Sequence, residues 1–589
     1  MKAEQTKICN RYICEVDFET LELQSADDLV ILSETIDVSL ESCDSIHASY
    51  FNWCNTNSLN IDQGAVRTPN FIARFIIQNI VSESPTSLSE LSWLDPCTGS
   101  GVFIEELLKH YIAQSKIIDL NSLPNIVAFD ISSVGVLHCL LVVKKSLEGL
   151  NILFSDYIRS GRITLQTSDP LSIYKERKDR FKINHREFDA VIGNPPYIRS
   201  TRLSTTTKKS LKHNFPSIYS GNADLYFYFI LSGIHSLKDG GLLSFITPAN
   251  FLRSSSAKNL RRSLKKISSI KRIVDLDELP VFENVNLHTQ IFLLKKTRDE
   301  ELPVEFLNVR SSSALNMIDQ EKHSYTAIEN RHFKETGWIT SDTPIRITMD
   351  EKVKSITLKE CGFEILSGIR PSYKDAFVYD EHEVSKYSDD ARRWFVECIE
   401  GKNIDKWQSM VANKRHLLLL KRNLNTLPPE VSDILEPYKE ELKKRLTKPD
   451  KGNWFTLRQC AYYSMFESPK IVFPDITARS RFSYDKTGLF IMDGAFFIPT
   501  ENLSLLAVLN STIAWEYFVS HCSSLGNASN KGRVRLKKSH VESFPVPKGF
   551  SWEGDQAKEL HLLVKEIIED GESKTLLLKI DRIVEEIYK

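Results

Sequence analysis

The chain has 589 residues, more than one ordinary domain holds, so two or three domains are expected. Its 41% hydrophobic residues suffice for sizeable cores, and a formal charge of −1 means that any nucleic-acid partner must be held by local basic patches. Ten cysteines without a CxxC pair, no basic-then-apolar leader and no apolar run near the roughly 18 residues that span a bilayer set the expectation of a cytoplasmic protein with reduced thiols, no metal and no membrane.

Residues 1–50 collect acids (Glu4, Glu15, Asp17, Glu19, Glu22, Asp27, Asp28) and read as an acidic N-terminal extension, a small helical lead-in with a solvated face. From 51 to 300 strand and helix patterns alternate, which implies an α/β, Rossmann-like, mainly parallel sheet. Strands are expected over Leu91–Leu94, Asn125–Phe129, Ile163–Thr167, Phe188–Ile192 and Leu242–Thr247, with Ile270–Leu276 and Gln290–Leu294 closing the sheet. Helices are expected over Gly101–Tyr111 and Asn222–Leu237. The polar stretch 301–345 reads as an irregular connector. Residues 346–550 read as a second, mixed α/β domain rich in aromatics and turns. The segment 551–589 reads as a helical tail with helices over Ala557–Glu569 and Thr575–Tyr588.

Two turns in the first of these domains carry chemistry. The first strand ends in Asp95 and runs into Pro96-Cys97-Thr98-Gly99-Ser100-Gly101 ahead of a helix. Glycines there let the backbone turn tightly and approach a ligand, and the helix start offers unpaired N–H groups. The spacing is not that of a GxxxxGK[ST] phosphate loop. Asp130 ends the second strand, where a ribose-binding carboxylate belongs, and Asp169 ends the third, placed to accept from an adenine amino group. The bland alternative is a tight strand–helix turn with aspartates as turn formers.

The second turn, Asn194-Pro195-Pro196-Tyr197, follows Gly193 at the end of a buried strand. Two prolines cannot extend the sheet, so the chain stiffens and leaves it. The Asn194 side-chain oxygen and the Pro195 carbonyl are then fixed acceptors, able to grip both hydrogens of one NH2 group. An exocyclic aromatic amine is a poor nucleophile, so positioning and electrostatics must supply most of the catalysis. Tyr197 offers a flat face for an extruded base. A nucleotide-like cofactor at one turn and an amino clamp at the other point to methyl transfer onto an exocyclic nitrogen.

In order and wording these motifs resemble the γ class of S-adenosylmethionine-dependent DNA adenine-N6 methyltransferases of restriction–modification and related systems. The matching stretches are Gly64-Ala65-Val66-Arg67-Thr68-Pro69, Asp95–Phe103, Asp130, Ser168-Asp169-Pro170, Asn194–Tyr197, Asp224-Leu225-Tyr226, Gly240–Pro248 and Leu279-Pro280-Val281-Phe282. The resemblance implies S-adenosyl-L-methionine as cofactor, with Thr68, Asp95, Pro96, Cys97, Gly99, Gly101, Asp130, Asp169 and Asn194 around it. It implies Asn194, Pro195, Pro196 and Tyr197 as the catalytic turn, and Phe282 as a stacking partner of the flipped base. Without the family, Phe282 reads as an ordinary core aromatic. The glycine turn departs mildly from the family's usual Pro-Ala-Cys-Gly-Ser-Gly, keeping the leading acid and both glycines.

The second domain is similar, more loosely, to the family's target-recognition domain through Leu366–Arg370, Ile399–Ile404, Ser468–Phe473, Leu509–Ser511 and Arg535–Lys538. Double-stranded DNA is the implied partner, with a cognate restriction endonuclease or another defence-system subunit as a possible second one. Three basic runs suit backbone phosphates: Arg199, Arg202 and Lys208 through Lys212 after the catalytic turn; Arg253–Arg272; and Lys531 with Arg533, Arg535, Lys537 and Lys538. Alone, each run is a solvated face. Cytosine N4, RNA adenine and a protein glutamine present the same NH2 group, and a DNA-binding subunit that needs a partner is a further alternative. Glu-x-Lys triplets at Glu176–Lys178 and Glu441–Lys443 lie in no separate nuclease-sized domain, so a fused nuclease is not expected.

Overall fold

The computed structural model describes residues 29–30, 41–56, 66–86, 88–115, 117–173, 187–276, 279–282, 287–297, 302–309, 311–320, 322–330, 333–335, 337–338, 355–371, 373–408, 415–444, 453–458, 460–522, 524–525 and 533–589. The chain divides into two compact units, Met1–Thr340 and Ser341–Lys589. Among the described residues no helix is long and apolar enough to cross a membrane.

In the first unit the longer helices among the described residues are α1 (Cys43–Thr56), α2 (Asn70–Glu83), α3 (Val102–Gln114), α4 (Ser133–Ser146), α5 (Thr205–Asn214), α6 (Leu225–His235) and α7 (Lys258–Ile267). The strands are β1 (Ser92–Asp95), β2 (Asn125–Asp130), β3 (Ile163–Thr167), β4 (Phe188–Gly193), β5 (Leu237–Pro248), β6 (Ser269–Asp275), β7 (Thr289–Lys295), β8 (Val304–Asn308) and β9 (Thr326–Ile328). They form one nine-stranded sheet in the order β3-β2-β1-β4-β5-β7-β6-β8-β9. β1 runs parallel to β2 and β4, and β4 to β5, whereas β7 is antiparallel to β5 and β6. Strand order reverses between β1 and β4, so the carboxyl ends of these two strands flank the crevice where doubly wound sheets bind ligands.

The strands read as near-continuous apolar runs because both faces are covered. On one face Ile72 and Ile76 of α2, Leu107 and Leu108 of α3, and Leu140 and Val143 of α4 pack on Trp93, Ile126, Ala128, Ala190 and Ile192. On the other, Tyr226, Phe227 and Ile230 of α6 and Leu260 and Leu264 of α7 pack on Leu94, Phe129, Val191 and Phe245. Burying one such side chain stabilises the fold by about 1.5–3 kcal/mol.

Three expectations are corrected. The described part of 301–345 is not an irregular connector: β8 pairs in parallel with β6, and β9 closes the edge against β8. Val304 and Phe306 alternate inward, but strands this short leave little periodic signal. The N-terminal 1–50 segment is not wholly a solvated face, since α1 buries Ile46, His47, Tyr50 and Cys54. Within the basic run 253–272, Arg261 and Arg272 are held inside. Arg261 is fully buried and donates to the carbonyls of Phe251 at 2.6 Å, Ser254 at 2.9 Å and Glu335 at 2.9 Å. Arg272 is paired with Glu305 and, at 3.2 Å, with Glu83.

The second unit contains a five-stranded sheet (Leu366–Ser367, Ala495–Pro499, Lys470–Pro474, Ser483–Asp485, Trp407–Gln408), a four-stranded sheet (Val378–Asp380, Arg415–Leu418, Phe395–Ile399, Phe490–Ile491) and a small three-stranded one (Ile476–Thr477, Arg533–Arg535, Ser524–Leu525). Helices α8 (Leu503–Asn510), α9 (Thr512–His521), α10 (Asp555–Asp570) and α11 (Lys574–Ile587) complete it. The tail helices start and stop within two residues of expectation, but they are no appendage. Leu560, Val564, Ile580 and Val584 share one core with Ile471, Phe473, Phe482 and Leu506.

Candidate active site

The turn after β1 is built by backbone pairing across the sheet. Thr98 N donates to the Phe129 carbonyl at 2.8 Å, so the turn is stitched to the end of β2. Asp130 then closes it. Its two carboxylate oxygens accept from Gly99 N at 2.8 Å and from Ser132 N at 2.9 Å. Burial pushes the Asp130 carboxyl up, opposed by these backbone donors. Gly101 sits at φ 87°, and a Cβ there would stand 2.9 Å from the Cys139 sulfur and 3.0 Å from its Cα, so α3 starts where only glycine fits. Asp95 is fully buried and accepts from Cys97 N at 3.0 Å through one oxygen, while its second oxygen has no partner. Burial pushes its carboxyl up to about 7.

The turn after β4 meets the first one. Gly193 has φ 153°, and a Cβ there would lie 3.1 Å from an Asp95 oxygen. Asn194 Nδ2 donates to Thr68 Oγ1 at 3.0 Å, which leaves its Oδ1 buried without a partner. Thr68 precedes α2 and is itself buried. The Tyr197 hydroxyl donates to the Ile246 carbonyl at 3.3 Å, and its ring meets Phe282 edge-on, with centroids 6.0 Å apart and planes at 62°. Beyond the turn the chain is fastened to α6: Leu225 N donates to the Ile198 carbonyl at 2.9 Å, and Ser200 N to an Asp224 oxygen at 3.2 Å.

Between the two turns opens a cleft of about 550 Å³. Of the residues expected from sequence, Pro96, Cys97, Gly99, Asp130, Asp169, Asn194, Pro196 and Arg202 line it. Thr68, Asp95, Gly101, Pro195 and Tyr197 do not; Thr68 and Asp95 touch residues that do. Phe282 is 4% exposed and belongs to the core beside Tyr197, so in this conformation its ring faces protein. Asp169 is exposed at the rim and accepts from Leu171 N at 2.9 Å.

Several cleft residues escaped sequence reasoning, among them four beside the glycine turn and Asp169. Ile131 is 57% exposed, an unpaired apolar wall directly after Asp130, and its place in the chain was the signal available. Leu171 lies two residues past Asp169 and could have been found the same way. Tyr50 and Phe51 reach the cleft from α1, some fifty residues upstream of the turn, and nothing local announces them.

The expected DNA contacts fall in both units. Arg199 is exposed just past the catalytic turn and Lys208 is half-buried on α5. In the second unit Arg533 and Arg535 point outward on either side of buried Val534, and Lys537 is exposed. Arg535 is paired with Asp475 at 3.0 Å. Gly64, Ala65, Lys531 and the Glu176–Lys178 triplet lie outside the described residues, as does the side chain of Arg253.

Two family models match the sequence: the Eco57I restriction-modification methylase over residues 131–282, which includes the catalytic turn, and the TaqI-like C-terminal specificity domain over residues 396–546. The chain is 24% identical over 462 residues to the Type II methyltransferase M.HincII of Haemophilus influenzae, covering 76% of this chain and 80% of that one. It is 23% identical over 584 residues to the Type II methyltransferase M.BanIII of Aneurinibacillus aneurinilyticus, covering 89% and 96%. The Type II restriction enzyme and methyltransferase RM.Eco57I of Escherichia coli is 21% identical, over 85% of this chain and 58% of its own length. Among solved structures, the Type IIL restriction-modification enzyme MmeI in complex with DNA shares the fold at a TM-score of 0.61, with 14% identity over 96% of this chain and 75% of that one. The chain thus carries an Eco57I-like restriction-modification methylase segment followed by a TaqI-like C-terminal specificity domain, and the curated relatives it resembles along most of its length are Type II methyltransferases.

Proposed function

We propose that this protein transfers a methyl group from S-adenosylmethionine to the N6 amino group of an adenine extruded from double-stranded DNA. The observation that carries the reading is the buried, unpartnered Oδ1 of Asn194 at the cleft. A buried acceptor without a donor costs about 1–3 kcal/mol, and an amino group entering the cleft supplies the missing donor.

The cleft suits the cofactor on the same kind of observation. Its volume lies in the range of small-molecule sites. Ile131 offers an uncovered apolar surface, and Asp130 and Asp169 offer carboxylates on one side of it. Pro96, Cys97, Gly99, Asp130, Ile131 and Asp169 would hold the group, which when bound supplies an electrophilic methyl. Everything else falls to the protein. Thr68 occupies the Asn194 amide nitrogen, so the amide oxygen faces the acceptor amine. The Asn194 oxygen and the Pro195 carbonyl take the two amino hydrogens and free the nitrogen lone pair from the ring. The surplus proton on the alkylated nitrogen passes to solvent water after attack, so no strong base is needed beforehand. In this reading Tyr197 and Phe282 flank the base once their edge-on contact opens.

The specificity unit reads the site and holds the duplex, and the protein acts as the modification component of a restriction–modification or related defence system or as an orphan methylase. The test is transfer of labelled methyl to DNA free of adenine methylation, with RNA and protein in parallel, followed by nucleoside analysis. Label in N6-methyladenine of DNA is the expected result. Label in N4-methylcytosine or RNA keeps the clamp and replaces the substrate; no label in any acceptor overturns the reading.

A further inference from the structure

The N-terminal helix is tied to the glycine turn by a buried network that neither turn's chemistry requires. His47 on α1 is fully buried, and both ring nitrogens are engaged, Nδ1 with Ser100 Oγ at 2.8 Å and Nε2 with Glu105 Oε2 at 2.8 Å. Ser100 lies inside the glycine turn and Glu105 in the first turn of α3. Glu105 is 2% exposed and is also met by Lys109 at 2.6 Å and by Asn70 Nδ2 at 3.0 Å. Burial alone would raise its carboxyl; His47 and Lys109 overcome that and hold it at about 2, so it stays charged. One helical turn after His47, Tyr50 brings its ring to 3.6 Å from where a Gly99 Cβ would stand, and Tyr50 and Phe51 line the cleft beside Asp130. Tyr50 is backed by Trp53 in a stacked pair at 6.3 Å and by His138 at 5.4 Å, so its ring has little freedom.

We propose that α1 is a wall of the cofactor site, with Tyr50 as a cofactor-contacting residue beside Asp130 and His47 as the positioning residue that locks this wall to the glycine turn. The proposal rests on the methyltransferase reading and deepens it. A histidine bridging a serine of the turn and a charged glutamate of the following helix adds a second anchor to the turn that Asp130 holds at Gly99. A held aromatic ring loses little conformational entropy when a ligand packs against it. α1 thereby takes part in cofactor affinity.

The test uses the full chain and titrates S-adenosylhomocysteine by calorimetry, with melting curves without ligand and a DNA gel shift alongside. Tyr50→Leu keeps apolar bulk but loses the ring, and weakens binding about tenfold while melting near the parent temperature. His47→Ala weakens binding to a similar extent, about tenfold, and His47→Gln, which can still bond one of the two partners, restores most of it. In each variant the KM for S-adenosylmethionine rises in step with the calorimetric constant, and DNA affinity without cofactor stays at the parent value. Parent-like binding by Tyr50→Leu overturns the proposal. So does a loss confined to kcat, or a loss of cofactor and DNA affinity together in proportion to melting temperature. A parent protein that binds no S-adenosylhomocysteine overturns the methyltransferase reading along with it, which separates the two failures.

Discussion

The two turns that meet in the cleft are finished to different degrees. At the glycine turn the donors and acceptors are largely spoken for: Asp130 takes the N–H groups of Gly99 and Ser132, Thr98 reaches the Phe129 carbonyl, and His47 takes Ser100. At the catalytic turn Asn194 has one partner, Thr68, and an amide oxygen left buried and unmatched. A turn that must receive a ligand against its backbone is completed by the fold. A turn that must grip a transient amino group keeps a buried acceptor in reserve. Substitutions at the first should therefore disturb fold and cofactor together, and at the second should disturb chemistry alone.

The largest effect is expected at the unmatched amide oxygen of Asn194. Asn194→Ala removes the acceptor together with its desolvation cost, so stability and S-adenosylhomocysteine affinity stay near the parent while turnover falls by about 10²–10³, the scale of losing one preorganised polar group. Single-turnover methylation alongside melting curves measures both, and turnover within tenfold of the parent would break the comparison.

Asp95 stands where the turns touch, and it tests how far the glycine turn is itself strained. Its folded pKa, raised by burial from 3.8 to about 7, lies above the unfolded one. The folded state thus holds the proton more tightly, so the native state is favoured at low pH and loses stability as pH rises from about 4 to about 7. Asp95→Asn keeps an oxygen for Cys97 N and has no proton to lose. Its gain over the parent is absent near pH 4 and grows to the order of 2–4 kcal/mol above pH 7. Melting at a series of pH values decides it; a difference that does not change with pH sinks the buried-carboxyl account.

Asp130→Ala sharpens the contrast with Asn194→Ala. Two backbone N–H groups lose their acceptor, so stability falls by about 1–3 kcal/mol even without ligand, and cofactor affinity falls with it. Loss of affinity at unchanged stability would show that Asp130 serves the ligand alone.

Much of this site could be read in advance, and the reason is locality. β1, β2 and β4 are buried on both faces, so their apolar runs stand out, and Asp95, Asp130 and Asn194 mark their ends within one or two residues. Proline and glycine punctuation placed both turns. What escaped was non-local. Tyr50 acts on Gly99 through a contact that no sequence period encodes, and it lies at the end of a stretch whose charge suggested solvent. β8 and β9 are short strands at one end of the sheet, β9 forming its edge, and their polar residues masked their pairing. Arg261 and Arg272 looked like phosphate ligands because a basic run does not show which side chains turn inward; Arg261 shares its face of α7 with Leu260 and Leu264.

The same ambiguity supplies the mildest prediction, on the surface rather than in the cleft. Exposed arginines bind phosphate by releasing counterions, so each true contact contributes about 0.9 to the slope of log affinity against log salt. Arg533 and Arg535 flank the same buried Val534, yet Asp475 sits 3.0 Å from Arg535 and cancels much of its charge. A phosphate would have to displace that carboxylate or share the guanidinium with it. Arg533→Ala is therefore expected to weaken DNA binding a few-fold and flatten the salt slope by about 0.9, with Arg202→Ala similar and Arg535→Ala smaller. Gel-shift titrations on one duplex at four salt concentrations measure the slopes. An unchanged slope for Arg533→Ala would return that strand to an ordinary solvated face, whereas a larger change for Arg535→Ala would mean that Asp475 orients its partner toward the duplex instead of neutralising it.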